Sequence, residues 1–595
     1  MWWNTAIILI WLCIFFTIVA VTIVCQKKKT GIAKPISIIF AGMLLAVYIG
    51  IFPGNYVSAN YSANDFIRFT ETIFISIADI IQVFTANNNV KELLETIRSH
   101  ESFFLQQAYI FTMSIMCTVA PLLTIGTLIS ILMSLSAGRR YLFSFFKAVY
   151  IFSELNDRSI VLASDIKNNH PNSMIVFTDV VDHEDETSLE LSNRAKSIGA
   201  ILFKKDILTP KFHMHRKKAE MLFFIIGDNE AENIEHSLIL IERYKNRENT
   251  RLYIFSSTRE SELALTGVDK GKLKVRRINE VQSLIYRTLY EKGEKLFGNA
   301  IESDGTKNIN AVVLGMGNYG TEMVKALAWF CQMDGYRLTI HAFDKDPYAE
   351  SRFKALCPDL MSDKYNGVSK EGESNYTIKI HSQIDVDTSE FLDILKTISP
   401  ATFVFVSLGS DEENVKTAVN MRALSERCGF PSFIQAVVTN SEISKILSSA
   451  SNHKGQTYDI DYIGDLQLAY SEHIIINSEL ETLAKNRHIR GNYAEELFWR
   501  YDYYYRSSVA SEVQKQARKY CHVRGIEKLN EHDKDKLTAE EIDFLRCLEH
   551  CRWNAFTRGE GYIYGSETDH LAKTHNCLIS YYDLPPEIQA YDDIW

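Results

Sequence analysis

The chain has 595 residues, more than one hydrophobic core usually organises, so several domains are expected. Its formal net charge is −10 and no long basic stripe occurs, which argues against a nucleic-acid duplex as partner. The ten cysteines are scattered, several within apolar runs, as in a reduced chain that faces the cytosol.

Residues 1–145 carry three apolar stretches and read as a membrane α-helical domain with three spans. The first, residues 5–25, has its charges after it, at Lys27, Lys28 and Lys29; a cleaved signal would carry them before, so it reads as an anchor. Residues 35–52 form the second span and residues 104–135 the third, which ends at Gly138-Arg139-Arg140. The positive-inside rule then sets the N-terminus outside and the remainder in the cytoplasm. Between spans two and three, residues 64–85 are amphipathic and predict an extracellular, re-entrant or surface helix. Pro121, Thr124, Gly126 and Thr127 stand inside the third span. Hydroxyls and carbonyls facing a lumen replace an ion's hydration shell, while small residues also let helices approach. Thr124, Gly126 and Thr127 are the candidate pore residues.

Residues 146–298 alternate short apolar runs with helical patterns, as a parallel, doubly wound α/β sheet requires. Strands are expected at 148–152, 174–177, 200–203, 221–226 and 252–255, with helices at 155–166 and 230–244. The opening turn, Ser153 to Ser159, has no glycine, so a diphosphate could not approach its backbone; a structural or assembly role follows.

Residues 306–488 form a second unit of the same kind, opening with an apolar run at 311–314 followed by Gly315, Gly317 and Gly320 in G-x-G-x-x-G spacing. A helical pattern and a second apolar run ending on Asp344 complete a Rossmann βαβ unit. Gly315 allows the tight turn, Gly317 lets phosphate approach, Gly320 lets helix and strand close up, and Asn318 and Tyr319 open the helix whose free N–H groups face the phosphate. Asp344 is set to accept from ribose hydroxyls. These six residues are the cofactor-binding candidates, for NAD(H), ATP or ADP, or a cyclic nucleotide. Gly227-Asp228 and Gly409-Ser410-Asp411 each follow a fourth strand, so the two units look like a degenerate repeat. Ser410 with Glu413 fits a capping box.

Residues 489–595 are expected to be mainly helical. The aromatics between 492 and 519 have helical spacing and are expected mostly in a core, and 545–558 is an amphipathic helix ended by Gly559 and Gly561. Cys547, His550 and Cys551 share one face, with His575 and Cys577 beyond; without paired C-x-x-C knuckles this reads as packed thiols rather than zinc ligands.

Membrane spans followed by tandem Rossmann units resemble the regulator-of-potassium-conductance (TrkA-N, RCK) architecture over residues 148–483. That resemblance implies a homo-oligomeric ring, a tetramer favoured, below a pore and shifted by a nucleotide or ion. The last sixty residues resemble the RyR repeat domain, through Glu549, His550, Arg552, Trp553, Gly561, Tyr562, Tyr564, Gly565, Lys573, Thr574, His575, Leu584 and Tyr591. The family often has tryptophan at Tyr562 and proline at Asn576. By resemblance this module is a ligand sensor in bacterial nucleotide signalling. Trp553, Tyr562 and Tyr564 could stack a base, and Arg552, Arg558, Lys573, Thr574 and His575 could hold phosphate.

The expected function is a nucleotide-gated membrane effector, an ion channel or pore in a bacterial inner membrane, with an antiviral role as the family-level implication. The alternatives are a housekeeping potassium transport regulator sensing NAD(H) or ATP, and a membrane-bound NAD-dependent oxidoreductase. No catalytic constellation and no metal site are assigned.

Overall fold

The computed structural model describes residues 64–84 and most of 148–593; 181–185, 211, 213–218, 363–374, 399, 430–431, 452–453, 456, 477, 492 and 522–536 lie outside the described residues, as does nearly all of 1–63 and 85–147. The three expected spans fall almost wholly outside them, as do the candidates Thr124, Gly126 and Thr127. Among the described residues no helix is long and apolar enough to cross a membrane. The chain divides into two units, residues 1–143 and 144–595.

In the first unit, helix α1 (Asp65–Phe84) covers the stretch expected to be amphipathic. It buries Thr72 and Ser76 beside Ile80 and Val83, while Phe66, Phe69, Phe74, Ile77 and Ile81 are exposed. On its inner side Asn55 Nδ2 donates to Asp79 Oδ2 at 2.7 Å and to Ser76 Oγ at 3.2 Å. Polar groups inward and large apolar groups outward reverse the partition of a helix whose outer face meets water.

The second unit contains two parallel sheets. The first comprises β1 (Ala148–Phe152), β2 (Met174–Phe177), β3 (Ile201–Leu202), β4 (Glu220–Ile225), β5 (Thr250–Phe255) and β6 (Lys274–Ile278), in the order β3-β2-β1-β4-β5-β6. The second comprises β8 (Thr306–Leu314), β9 (Tyr336–Asp344), β10 (Tyr376–Ser382), β11 (Phe403–Val406), β12 (Phe433–Val437) and β13 (Ile460–Ile463), in the order β10-β9-β8-β11-β12-β13, and β7 (Ile301–Ser303) pairs antiparallel with β8. Each sheet reverses its strand order between its first and fourth strands, the Rossmann doubly wound pattern. The strands are continuous apolar runs because helices cover both faces. Helices α2 (Asp157–Asn169), α3 (Glu230–Tyr244) and α4 (Glu280–Gly298) belong to the first sheet's course; α5 (Asn318–Phe330), α6 (Ala349–Leu356) and α7 (Asp411–Cys428) belong to the second.

The repeat extends to individual hydrogen bonds. After β4, Asn233 on α3 accepts from Gly227 N at 3.0 Å and donates to Phe255 O at 3.1 Å; after β11, Asn414 on α7 accepts from Leu408 N at 2.5 Å and donates to Val437 O at 2.8 Å. Three residues earlier, Glu230 accepts from the N–H groups of Ser257 and Thr258, and Asp411 from those of Thr439 and Asn440. Each copy thus uses an acid and an asparagine to tie the turn after its fourth strand to the end of its fifth. Ser410 caps α7 by accepting from Glu413 N at 3.2 Å, one half of the expected box.

The chain ends in a helical layer: α8 (Glu479–Arg490), α9 (Asp502–Cys521) and α10 (Ala539–Gly559), followed by the two-stranded β14 (Ile563–Tyr564) and β15 (Thr574–His575). Helix α10 starts six residues before the expected helix, at a reciprocal box in which Thr538 and Glu541 cap each other's backbone. It lies against α5, Phe556 meeting Trp329 edge-on at 6.5 Å, while Tyr286 of α4 meets Trp329 at 5.1 Å. Helix α5 is therefore enclosed, and every residue from Met323 to Phe330 is buried. Cys547 and Cys551 are buried against Tyr581 and Leu584, as packed thiols.

Candidate functional site

The glycine-rich turn leaves the carboxyl end of β8. Gly315 has φ +91°, and a Cβ there would lie 2.3 Å from Ser407 O; at Gly320 a Cβ would lie 1.8 Å from Gly315 O. The crossing of β8, β11 and α5 demands both. Gly317 differs: its φ is −67° and nothing stands within 4 Å of the Cβ position. No protein atom explains the missing side chain, and a ligand could approach the backbone there. Helix α5 also starts without a side-chain cap, whereas Asn156, Asn229, Asn279 and Ser410 cap α2, α3, α4 and α7. Its first N–H groups, at Asn318 and Tyr319, are of the kind that bind anions. Tyr319 itself leans on the core, and burial raises its hydroxyl pKa above the ordinary value.

Asp344 ends β9 as expected, but its first task is internal. Oδ2 accepts from Met316 N at 2.6 Å and Oδ1 from Asp346 N at 2.7 Å, so the carboxylate clamps the glycine turn. A carboxylate has about four acceptor positions, which leaves room for a ribose hydroxyl. Gly315, Gly317, Asp344, Ile384, Leu408 and Gly409 border a crevice of about 290 Å³ at the point where the strand order reverses.

On the other side of Gly317 is a larger cavity, of about 590 Å³, walled by three parts of the chain. Arg259 and Glu262 come from the helix Arg259–Thr266 after β5, Gly317 and Arg352 from the second sheet's domain, and Glu560 and Lys573 from the C-terminal layer. Buried charges bind these parts together. Arg506 of α9 pairs with Glu262 at 2.7 Å, Asp502 at 3.0 Å and Glu560, and Lys573 Nζ donates to Glu262 at 3.1 Å and to Glu560 O at 2.8 Å. Burial opposes the Glu560 charge, yet Arg506, Lys325 and Lys573 outweigh it and hold the carboxyl below its ordinary range. Burial lowers the Lys573 ammonium pKa. At the rim Arg352 pairs with Asp346 at 2.6 Å, and Arg259 is exposed with no ion pair among the described residues.

The corresponding turn of the first copy is filled by its own side chains. Arg158 pairs with Asp228 at 2.6 Å and Glu280 at 3.1 Å, Glu154 accepts from Asp228 N at 3.1 Å, and Asn156 and Ser159 cap α2 reciprocally. A Cβ at Gly227 would meet Asn233 Oδ1 at 2.8 Å.

The C-terminal candidates separate. Arg552, Trp553 and His575 line a third cavity, of about 170 Å³, with Tyr503, Tyr504 and Tyr591. Lys573 belongs instead to the three-part cavity. Tyr562 is fully buried with its hydroxyl 2.9 Å from His570 Nδ1, Arg558 is buried, Thr574 is half-buried with its hydroxyl donating to Glu567 O, and Tyr564 is exposed on β14. Trp553, Tyr562 and Tyr564 therefore share no cavity: the turn at Gly561, with φ +82°, sends Tyr562 into the core and Tyr564 to the surface. The expected aromatic core between 492 and 519 is present in Phe498 and Tyr503, yet Tyr503 and Tyr504 also face this cavity.

Sequence reading missed Arg259, Glu262, Arg352, Arg506 and Glu560 because each looks locally like a solvated helix charge. Only the pairing of Glu262 with groups more than 240 positions away gives it meaning. The sole local hint is Glu560, an acid beside the helix-ending Gly559 and Gly561. No family model matches the chain, and no curated protein matches it.

Proposed function

We propose that this chain is a membrane effector, an ion channel or pore opened by a nucleotide bound on the cytoplasmic side. The observation that carries the reading is Gly317, which stands between the 290 Å³ crevice and the 590 Å³ cavity. A nucleotide lying across it would set its base near Asp344 and Ile384, its phosphates over the start of α5, and its far end toward Arg259 and Arg352. Such a ligand, whether NAD(H), ATP or ADP, or a cyclic nucleotide, touches three parts of the chain at once and so favours one arrangement of them. To move the pore from about 1% to about 99% open it must bind the open state about 10⁴-fold more tightly.

The apolar outer face of α1 supports a first unit that meets lipid or other apolar helices. The likeness to TrkA-N and RyR modules supports a homotetrameric ring in a bacterial inner membrane and an antiviral role. The test is ion flux in liposomes carrying the full chain. Flux is expected on addition of one of NAD(H), ATP, or a cyclic mono- or oligonucleotide. Protein that binds one of them and passes no ions overturns the reading.

A further inference from the structure

Helix α1 carries a charge that its surroundings leave unanswered. From Thr72 to Phe84 its side chains are apolar or neutral except Asp79. Thr72, Ser76, Asp79 and Val83, spaced by four, three and four, share one face, opposite the exposed Phe74, Ile77 and Ile81. Thr72, Ser76 and Val83 are fully buried and Asp79 is half-buried. Three oxygen-bearing side chains thus stand in line on the inner face. Thr72 Oγ1 donates to Arg68 O at 2.7 Å and keeps its lone pairs. The two N–H groups of the Asn55 amide are divided between Ser76 Oγ at 3.2 Å and Asp79 Oδ2 at 2.7 Å. Asp79 has no other partner among the described residues, so most of its roughly four acceptor positions are open. No cation answers it. The one base of the helix, Arg68, lies about 16 Å away along the axis at 1.5 Å per residue. Its guanidinium is committed to Tyr56, donating to the carbonyl at 2.7 and 3.1 Å and covering the ring at 4.4 Å. In a membrane unit, a carboxylate set among apolar side chains without a cation of its own is costly, and such residues mark ion routes.

We propose that this face of α1 lines the ion path and that Asp79 makes the path cation-selective, one carboxylate from each copy of the chain forming an acidic ring. The inference rests on the channel reading and adds to it the sign of the ion and the residue that sets it. Helix α1 does not have to span the bilayer for this, because a ring of acids at a mouth or constriction is enough to select cations. Walls of one charge raise the local concentration of the opposite ion about tenfold or more. Thr72 and Ser76 are sealed in this structure, so the face is shut and conduction exposes it. The rival role for Asp79 is a pin that only holds Asn55 against the helix. An asparagine at this position keeps an acceptor for the Asn55 amide and removes the charge alone, which separates the two roles.

The test uses the full chain in planar bilayers under a potassium chloride gradient, with NAD(H), ATP and cyclic mono- and oligonucleotides added in turn. The reversal potential of the evoked current gives the permeability of potassium relative to chloride. That ratio is expected to be about ten or more in the unsubstituted chain and to fall close to one in Asp79→Asn. Asp79→Glu restores it, and Glu71→Gln, at an exposed acid of the same helix, leaves it unchanged. A second readout decides the matter should Asp79→Asn not fold. Ser76→Cys is expected to react with a cationic methanethiosulfonate faster than with an anionic one, only while current flows and beyond any reaction of the unsubstituted chain. Current with an unchanged ratio in Asp79→Asn, an equal fall in Glu71→Gln, or a conducting Ser76→Cys that does not react overturns this inference and leaves the channel reading standing. No current from the unsubstituted chain with any of these nucleotides overturns both.

Discussion

Three glycines in one motif answer to three different demands, and substitution separates them. At Gly320 an added methyl meets Gly315 O at 1.8 Å, so Gly320→Ala should exceed the ~1–3 kcal/mol of ordinary overpacking and unfold the second sheet's domain. At Gly317 the space is open and the backbone ordinary, and aspartate is a better N-cap than glycine. Gly317→Asp should therefore keep or raise the melting temperature while lowering ATP or NAD(H) affinity about a hundredfold, the size of a close like-charge contact. Calorimetric titration beside thermal unfolding reads both. A variant that folds and binds as before would mean that phosphate does not sit on this turn. The spacing of the three glycines and the separate task of each were legible, but the atoms that crowd Gly315 and Gly320 were not, because they come from Ser407 and from the turn's own backbone.

Strands and helices were legible where their patterns are local. The apolar runs at 148–152, 174–177 and 252–255 lie in strands β1, β2 and β5, and 230–244 is helix α3 to the residue. Strand β6, KVRRI, was not legible, because its buried positions include two arginines. Arg276 lies 3.5 Å from the Tyr505 ring centre and Arg277 pairs with Asp502 at 2.6 Å, so residues more than 220 positions later make a polar pattern buriable. The same physics governs α10. Burial opposes the Glu549 charge, but Arg552, Arg518 and Arg487 prevail and hold its pKa down to about 2 from an ordinary 4.5. A depressed carboxylate contributes stability that is whole above its unfolded pKa and is lost as pH falls through the folded one. Unfolding followed by circular dichroism should show that loss between about pH 4.5 and 2. Glu549→Gln should flatten this limb and cost about 3–5 kcal/mol at pH 7, because it strands buried arginines. An unchanged acid limb in the variant would assign it to other carboxylates.

At the scale of the whole second unit, the sequence conveyed a tandem of doubly wound domains with a helical end, but not that the three parts close around one cavity. That closure rests on long-range ion pairs centred on Arg506, Glu262, Glu560 and Lys573, none of which has a periodic signature. It also makes the gating proposal testable without a channel. If a nucleotide bridges the cavity, hydrogen exchange should slow in three separate places when ATP or NAD(H) is added: the turn from Gly315 to Gly320, the helix Arg259–Thr266, and the segment around Glu560 and Lys573. Glu262→Gln should keep protection at the glycine turn and lose it in the other two, since the glutamine can no longer pair with Arg506 and Lys573 as an ion. Protection confined to the glycine turn in the unsubstituted chain would instead describe a Rossmann site that binds its nucleotide without informing the rest of the molecule. The ligand would then have no differential grip on two arrangements and could not gate anything.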